Sequence, residues 1–436
     1  MIQKPYGTND ILPGHTEKWQ YIESVARETA ALYGFGEIRF PTIEYTELFQ
    51  RGVGDTTDVV QKEMYTFDDR EEGRSISLRP EGTASVARSV IENGLYGGTM
   101  PLRLYYIINC FRHEKPQAGR YREFYQFGVE LFGATSAAAD AQIIALGAAF
   151  LRRLGLPFIL RLNSIGCKKC RADYQRALVE YFSAHRDKLC DSCKTRLERN
   201  PLRLLDCSGN RLVTLDLRPC SDRLKADAGG NPPLTTVYCR ASQSDYLCDD
   251  CAQHYNELLA TLDGMGIEYV SDPKIVRGLD YYSRTVFEYQ FTGIGAQNAL
   301  GGGGRYDGLI ESVGGPSLSG IGFAMGINRL ILAMEQTGAS YPEQPKPTLY
   351  IAALGAPAMR RAAVLAQQLR EQGVRAESDI VGRSLKAQMK YAGKSGFRYT
   401  LMIGDSELET GRAFLRNMEQ SEQTEIEIDR VADYLI

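Results

Sequence analysis

Arg277-Gly278-Leu279-Asp280-Tyr281-Tyr282-Ser283-Arg284-Thr285-Val286-Phe287-Glu288 sets an arginine, an aspartate and a tyrosine pair immediately ahead of a strand-like run. Ordinary packing does not require that combination. Soon after it comes Leu300-Gly301-Gly302-Gly303-Gly304-Arg305-Tyr306-Asp307-Gly308, a run without side chains that closes on a charged turn. The glycine run reads as close backbone packing.

Working outward, strand-like patterning predicts strands at Ser75–Arg79, Arg103–Cys110, Tyr121–Leu131, Pro157–Asn163, Thr285–Gln290 and Gly320–Met325. These strands lack the regular strand–helix alternation of a doubly wound parallel sheet, so a mostly antiparallel sheet in an α+β fold is expected. Helical periodicity through Trp19, Ile22, Val25, Ala26, Thr29 and Leu32 predicts a helix over 15–33, followed by a strand Glu37–Pro41. Pro41 cannot donate to a central ladder, which places it at a sheet edge or a strand end, and an edge strand can pair with a second subunit.

After Ile165 the chain turns cysteine-rich and loop-rich, and 167–272 reads as an insertion within a catalytic domain spanning 1–335. The proline-rich run 336–347 reads as an exposed linker. A C-terminal α/β domain, 348–436, follows, with strands at Thr348–Leu354 and Tyr399–Ile403 about a helix Pro357–Gln372.

The 436 residues suit two or three domains, and 43% hydrophobic with 24% charged content is globular rather than disordered. A net charge of −3 excludes a globally basic nucleic-acid binder, so any such contact rests on a local patch. Neither a secretory run nor a membrane span is present, which points to the cytoplasm. In a reducing compartment the ten cysteines read as metal ligands or free thiols rather than disulfides.

Phe111-Arg112-His113-Glu114 and Gly119-Arg120-Tyr121-Arg122-Glu123-Phe124-Tyr125-Gln126 form a hairpin-like unit with a basic loop. A guanidinium in a sheet needs a fixed anion, either a phosphate or a structural glutamate partner. Gly322–Leu330 reads as a strand entering a helix, with Arg329 in its first turns. Pro41, Arg112 and Arg329, in that order and at wide spacing, resemble motifs one, two and three of class II aminoacyl-tRNA synthetases. The segments at 277–288 and 300–308 resemble the two signature segments of the histidyl-tRNA synthetase family.

That resemblance implies a class II antiparallel sheet with flanking helices, an anticodon-binding C-terminal domain, and a homodimer. It implies that Arg112 holds the ATP α-phosphate, Glu114 the adenine edge, and Arg329 the adenine face and γ-phosphate. Asn328 departs from the family, which usually carries Glu before the motif-three arginine. Glu81, Gly82 and Thr83, with Gln126, Glu130, Arg277, Tyr281 and Tyr282, stand at the family's histidine contacts. By that correspondence Glu81, Thr83 and Gln126 receive the ammonium, Glu130 and Tyr282 meet the imidazole, and Arg277 faces the reacting phosphate. Implied partners are L-histidine, ATP with Mg2+, and tRNA(His), with no membrane.

Other motifs fail. The glycine run breaks Gly-x-Gly-x-x-Gly because Tyr306 or Asp307 occupies its last position, and Gly393-Lys394-Ser395 lacks the earlier Walker glycine, its place being held by Gln388. Histidines 15, 113, 185 and 254 form no His-Glu-x-x-His site, and no His-x-Gly-His segment of class I synthetases occurs. Cys167/Cys170 and Cys190/Cys193 have zinc-like spacing, but Cys207 and the pair Cys248/Cys251 leave the ligand set of a structural Zn2+ open.

Residues 360–398 hold nine Lys or Arg against three acids, and Lys386, Lys390 and Lys394 recur on one helical face. Such a stripe is either solvated surface or an RNA contact, and Arg383–Lys390 resembles the synthetase anticodon-binding domain. Taken whole, the resemblance implies activation of histidine by ATP to an adenylate, then transfer to the 3′-terminal adenosine of tRNA. The alternatives are the non-catalytic regulatory subunit of ATP phosphoribosyltransferase, which lacks an anticodon-binding domain, and an RNA-binding module with a dead core.

Overall fold

The computed structural model describes residues 1–55, 57–69, 73–184, 186–205, 246–294, 298–343 and 345–435. His185 and Cys207 lie outside the described residues. The chain forms two compact units, Met1–Tyr341 and Pro342–Ile436.

The first unit is built on an eight-stranded sheet. Its strand order is Gly36–Glu37, Leu102–Phe111, Glu123–Phe132, Gly320–Gly326, Ala299–Arg305, Ser283–Gln290, Ile159–Ser164, Val270–Ser271. The six central strands are mutually antiparallel, and only the two-residue strands at the rims pair in parallel. Expected strands appear within a few residues of their sequence positions, with two differences. The edge strand before Pro41 shrinks to Gly36–Glu37, and Ser75–Leu78 leaves the main sheet for a three-stranded one with Ile43–Tyr45 and Thr66–Asp68.

Period-two alternation divides the large sheet into a core face and a cleft face. Phe127, Val129 and Leu131, Phe287 and Tyr289, and Ile321, Phe323 and Met325 all enter one core beneath the helices Thr16–Leu32, Ala137–Arg153 and Ile327–Thr337. Phe127 packs edge-on against Phe150 and Phe323, with ring centroids 4.8 and 5.9 Å apart. The intervening residues Gln126, Glu288, Gln290, Gly322 and Ala324 therefore turn toward the opposite face, where they line a cleft.

A buried polar cluster pins this core to the loop after the glycine strand. Arg305, fully buried, donates to Asp140, to Asp307 Oδ1 at 3.0 Å and to the Ala134 carbonyl at 2.9 Å. His254 Nε2 meets the other side of Asp140 at 2.9 Å, so this histidine is a satisfied core residue. His15 and His113 are exposed.

The reading of 167–272 as one insertion needs a boundary change. Helices Lys168–Ser183 and Asp191–Arg199 and the turn Pro201–Leu204 make a small core of their own around Tyr174, Leu178, Phe182, Leu197 and Leu204. Helix Asp249–Gly264, by contrast, gives Leu258 and Leu262, one turn apart, to the main core, and Val270–Ser271 joins the main sheet. The helix and strand from 249 to 271 therefore pack with the main sheet of the first unit.

The second unit has a five-stranded sheet in the order Ala376–Ser378, Leu349–Ala353, Tyr399–Ile403, Arg412–Asn417, Gln423–Glu427. The first three are parallel and the last two antiparallel. Leu349, Ile351, Leu401 and Ile403 pack against Ala362, Leu365, Ala366 and Leu369 of helix Ala356–Glu371.

Candidate active site

The cleft has a volume of about 690 Å³, within the roughly 300–1,000 Å³ usual for small-molecule sites. Glu81, Thr83, Arg112, Glu114, Gln126, Arg277, Tyr281, Tyr282 and Arg329 all line it, gathered from five separate stretches of chain. Gly82 and Glu130 lie just outside the lining.

Glu81 occupies the start of helix Thr83–Glu92 and accepts the backbone N–H groups of Thr83 and Ala84, each at 2.8 Å. Burial pushes its carboxyl above the usual carboxylate range, although the two N–H donors oppose the shift. Gly82 is obligatory beside it, because a Cβ there would come within 2.6 Å of the Tyr106 ring. Glu130 sits one layer beneath the floor, almost fully buried, and accepts hydroxyl hydrogen bonds from Thr83 (2.7 Å), Tyr106 (3.1 Å) and Tyr306. Burial pushes it up to about 8 even though those hydroxyls favour the ionised form. Gly322 covers this carboxylate, since a Cβ there would stand 2.0 Å from Glu130 Oε2. Tyr281 and Tyr282 form an adjoining aromatic wall, their centroids 4.6 Å apart, with Tyr306 edge-on to Tyr281 at 5.6 Å.

The rest of the lining carries several cations. Arg112 follows the strand Leu102–Phe111, donates Nε to the Pro80 carbonyl at 2.9 Å and lies over the Phe124 ring at 5.3 Å. Its Nη1 is 3.8 Å from Glu114, which Arg120 holds from the other side at 2.9 Å. Arg329 lies in the first turn of helix Ile327–Thr337, where burial, then the nearby Arg120 charge, pulls its pKa down to about 10. A guanidinium so destabilised gains from an arriving anion. Asn328 accepts the Tyr125 N–H at 2.9 Å and ties the helix start to the strand Glu123–Phe132.

Arg277 is half-buried and donates to Glu288 Oε2 at 3.0 Å. Its buried Nε has no hydrogen-bond partner among the described residues. Gly302 makes the room it occupies, because a Cβ at that position would lie 2.7 Å from Arg277 Nη1. At Gly301, Gly303 and Gly304 a Cβ would instead meet the carbonyls of Ala324, Gly322 and Thr285 at 2.6, 1.9 and 2.5 Å, so the rest of the run serves close backbone packing.

Sequence reasoning missed Arg120, Phe124, Glu288 and Tyr306 as site residues, and Arg79 as their support. Glu288 was legible as every second residue on the strand after Tyr282, facing the cleft with Gln290. Arg79 had no such signal: buried, it bonds Asn109 through Nε and Nη2 and the Phe40 and Pro41 carbonyls through Nη1, at 2.7–3.1 Å, holding the segment around Pro41 to the hairpin.

Four cysteines converge outside the cleft. Cys167, Cys170, Cys248 and Cys251 place their sulfurs within 4.8 Å of one another, the one such cluster among the described residues. Cys190 is exposed and Cys193 belongs to the small core of the insertion, so the spacing-based pairing of Cys167/Cys170 with Cys190/Cys193 does not form. In the second unit Lys386 and Lys390, with Lys394, are exposed along helix Leu385–Lys394. Gln388 on the same helix faces inward, bonding the Ala353 carbonyl and N–H at 2.8 and 3.0 Å.

Comparison with known proteins follows the same division. The family model for histidyl-tRNA synthetase matches residues 7–330, and that for an anticodon binding domain matches 348–436. A histidine–tRNA ligase of Caldanaerobacter subterraneus subsp. tengcongensis is 50% identical over 434 residues, 99% of this chain and 98% of that one. Another, of Acetivibrio thermocellus, is 49% identical over 436 residues, covering 100% and 99%. The apo histidyl-tRNA synthetase of S. aureus superposes with a TM-score of 0.80 at 38% identity, each chain fully covered.

Proposed function

We propose, on the premise that the chain belongs to the histidyl-tRNA synthetase family, how its cleft joins histidine to tRNA. The reaction is that of a histidine–tRNA ligase. A histidine carboxylate oxygen attacks the α-phosphorus of ATP, pyrophosphate leaves, and the adenylate then passes its histidyl group to the 3′-terminal adenosine of tRNA with release of AMP.

The observation that carries the assignment of roles is the division of the cleft into a carboxylate and hydroxyl side and a guanidinium side. Histidine enters as a zwitterion. Its ammonium meets Glu81, Thr83 and Gln126, and its imidazole lies toward Tyr282 and the hydroxyl-bound Glu130, whose polar atoms penalise a side chain that cannot hydrogen-bond. ATP, with its Mg2+ as part of the substrate, lays its α-phosphate against Arg112, its adenine edge at Glu114, and its adenine face and γ-phosphate at Arg329. Arg277, which lines the cleft, offers its guanidinium to the charge that develops on the phosphoryl oxygens. Its pairing with Glu288 fixes it before the substrates arrive, so little reorganisation accompanies the step.

The exposed Lys386, Lys390 and Lys394 stripe binds the tRNA backbone. The edge strand Gly36–Glu37, paired on one side only among the described residues, supports a homodimer. The cytoplasm, where tRNA is charged, is the proposed location, and no described helix is long and apolar enough to cross a membrane. The regulatory reading is disfavoured by the full-length match to histidine–tRNA ligases, although a Bacillus halodurans ATP phosphoribosyltransferase regulatory subunit/histidyl-tRNA synthetase shares the fold at 24% identity, with a TM-score of 0.63 over 93% of this chain and 98% of its own.

The test is amino-acid-dependent ATP–pyrophosphate exchange without tRNA, with histidine offered beside the other amino acids. Exchange with histidine alone is expected; binding of ATP and histidine with no exchange would sink the catalytic reading.

A further inference from the structure

Each cysteine pair begins a helix. Cys167 is the N-cap of Lys168–Ser183, and Cys248 is the N-cap of Asp249–Gly264, so Cys170 and Cys251 lie in the first turns that follow. The two helices are joined only through the insertion, yet their N-termini meet. The Cys248 N–H donates to Cys170 Sγ at 3.1 Å. Gly166, at φ +65°, makes the turn into the first pair, and a Cβ there would stand 2.4 Å from that of Cys170. The backbone therefore holds a knuckle that a side chain would open.

The sulfur spacing selects one kind of occupant. Cys167 and Cys170 are 3.6 Å apart, too far for an S–S bond of about 2.05 Å. All four sulfurs lie within 4.8 Å of one another. A tetrahedral ion with Zn–S bonds of about 2.3 Å separates its sulfurs by about 3.8 Å. Four thiolate donors favour a soft or borderline ion and leave no position for water, which is the pattern of a structural rather than a catalytic site.

We propose that Cys167, Cys170, Cys248 and Cys251 bind one structural zinc ion, giving up their thiol protons to solvent, and that this ion fastens both roots of the insertion to the catalytic unit. Its reach extends to the cleft. Arg171, next to Cys170, donates to the Tyr282 carbonyl and, at 3.4 Å, to that of Asp280. Ile165 N–H donates to the Arg284 carbonyl at 2.7 Å, and Arg284 N–H to the Gly166 carbonyl at 2.9 Å. Arg284 holds φ +50°, a conformation unfavourable for a non-glycine residue and maintained by these two bonds. The knuckle thus grips, from behind, the loop that carries Arg277, Tyr281 and Tyr282. This last consequence rests on the proposed histidine pocket; the metal site does not.

The experiment is metal analysis of the full chain purified without chelator, followed by mercurial titration of its thiols with a zinc-sensitive dye reporting release. About one zinc per chain is expected, freed as the thiols are capped, with a lower melting temperature that added zinc restores. Cys248→Ser should lose the ion and Cys190→Ser should keep it. If Cys248→Ser does not fold, the metal content and release from the unmodified protein decide. Absence of zinc together with no stabilisation by added zinc overturns the site, and so does stoichiometric iron. Loss of zinc in Cys190→Ser but not Cys248→Ser overturns the ligand set. Zinc removal should raise the KM for histidine more than it lowers kcat. An unchanged KM refutes the link through Arg171, whereas no exchange by the fully zinc-loaded protein refutes the functional reading instead.

Discussion

Replacing Arg277 with Gln tests the central electrostatic claim. Among the described residues the guanidinium's one ion pair is with Glu288 at 3.0 Å, the Tyr282 hydroxyl lies beside it as a further hydrogen-bond partner, and its buried Nε has none. Glu288 retains the Gln290 amide at 2.6 Å when Arg277 is removed, so its carboxylate is not stranded. The stability cost is then that of one partly exposed ion pair, about 1 kcal/mol. The cost to adenylate formation is that of a preorganised donor at developing charge, about 2.7–4 kcal/mol or 10²–10³ in kcat. Single-turnover adenylate formation, with thermal unfolding alongside, separates the two. Gly302→Ala should lower thermal stability and adenylate formation together, because the new Cβ would stand 2.5 Å from the Phe287 carbonyl of the neighbouring strand as well as 2.7 Å from Arg277 Nη1. A kcat within about threefold of the parent would make Arg277 a structural partner of Glu288 and refute the assignment.

Three further outcomes are expected. Glu130 holds its proton in the folded state up to about pH 8 and releases it near the ordinary carboxylate range when unfolded, so the native state binds more protons in between. Stability should therefore fall as pH rises across that window, by up to about 1.4 kcal/mol per unit, and Glu130→Gln should flatten the slope; urea titrations at several pH values read it. Asp140→Asn leaves the buried Arg305 without its principal counter-charge and should cost roughly 3–5 kcal/mol in chemical denaturation, and a loss under about 1 kcal/mol would show that Asp307 suffices. Lys386→Gln with Lys390→Gln should weaken tRNA binding and flatten its salt dependence by about one to two counterions while leaving tRNA-free exchange intact, so an unaltered slope would make the stripe plain solvated surface.

Local pattern carried much of this protein. Strand-like patterning located the strands of the large sheet, the family resemblance singled out Gln126 and Glu130, and helical spacing put Lys386, Lys390 and Lys394 together. The motif order Pro41, Arg112, Arg329 and the run Arg277–Glu288 pointed to the family and its reaction without coordinates. Tertiary structure decided what spacing leaves degenerate. Three cysteine pairs share one local signature, and only the folded chain brings Cys248 to Cys170 while leaving Cys193 in a different core. The same holds for Arg79 and for Arg305 with Asp140 and His254, buried groups whose partners lie 30 to 165 residues away. It holds too for the helix Asp249–Gly264, whose two core leucines read like any amphipathic stripe until the main core supplies their contacts. Faces and turns are set by neighbours along the chain, whereas the pairing of buried charges and thiols is set by which distant segments the core brings together.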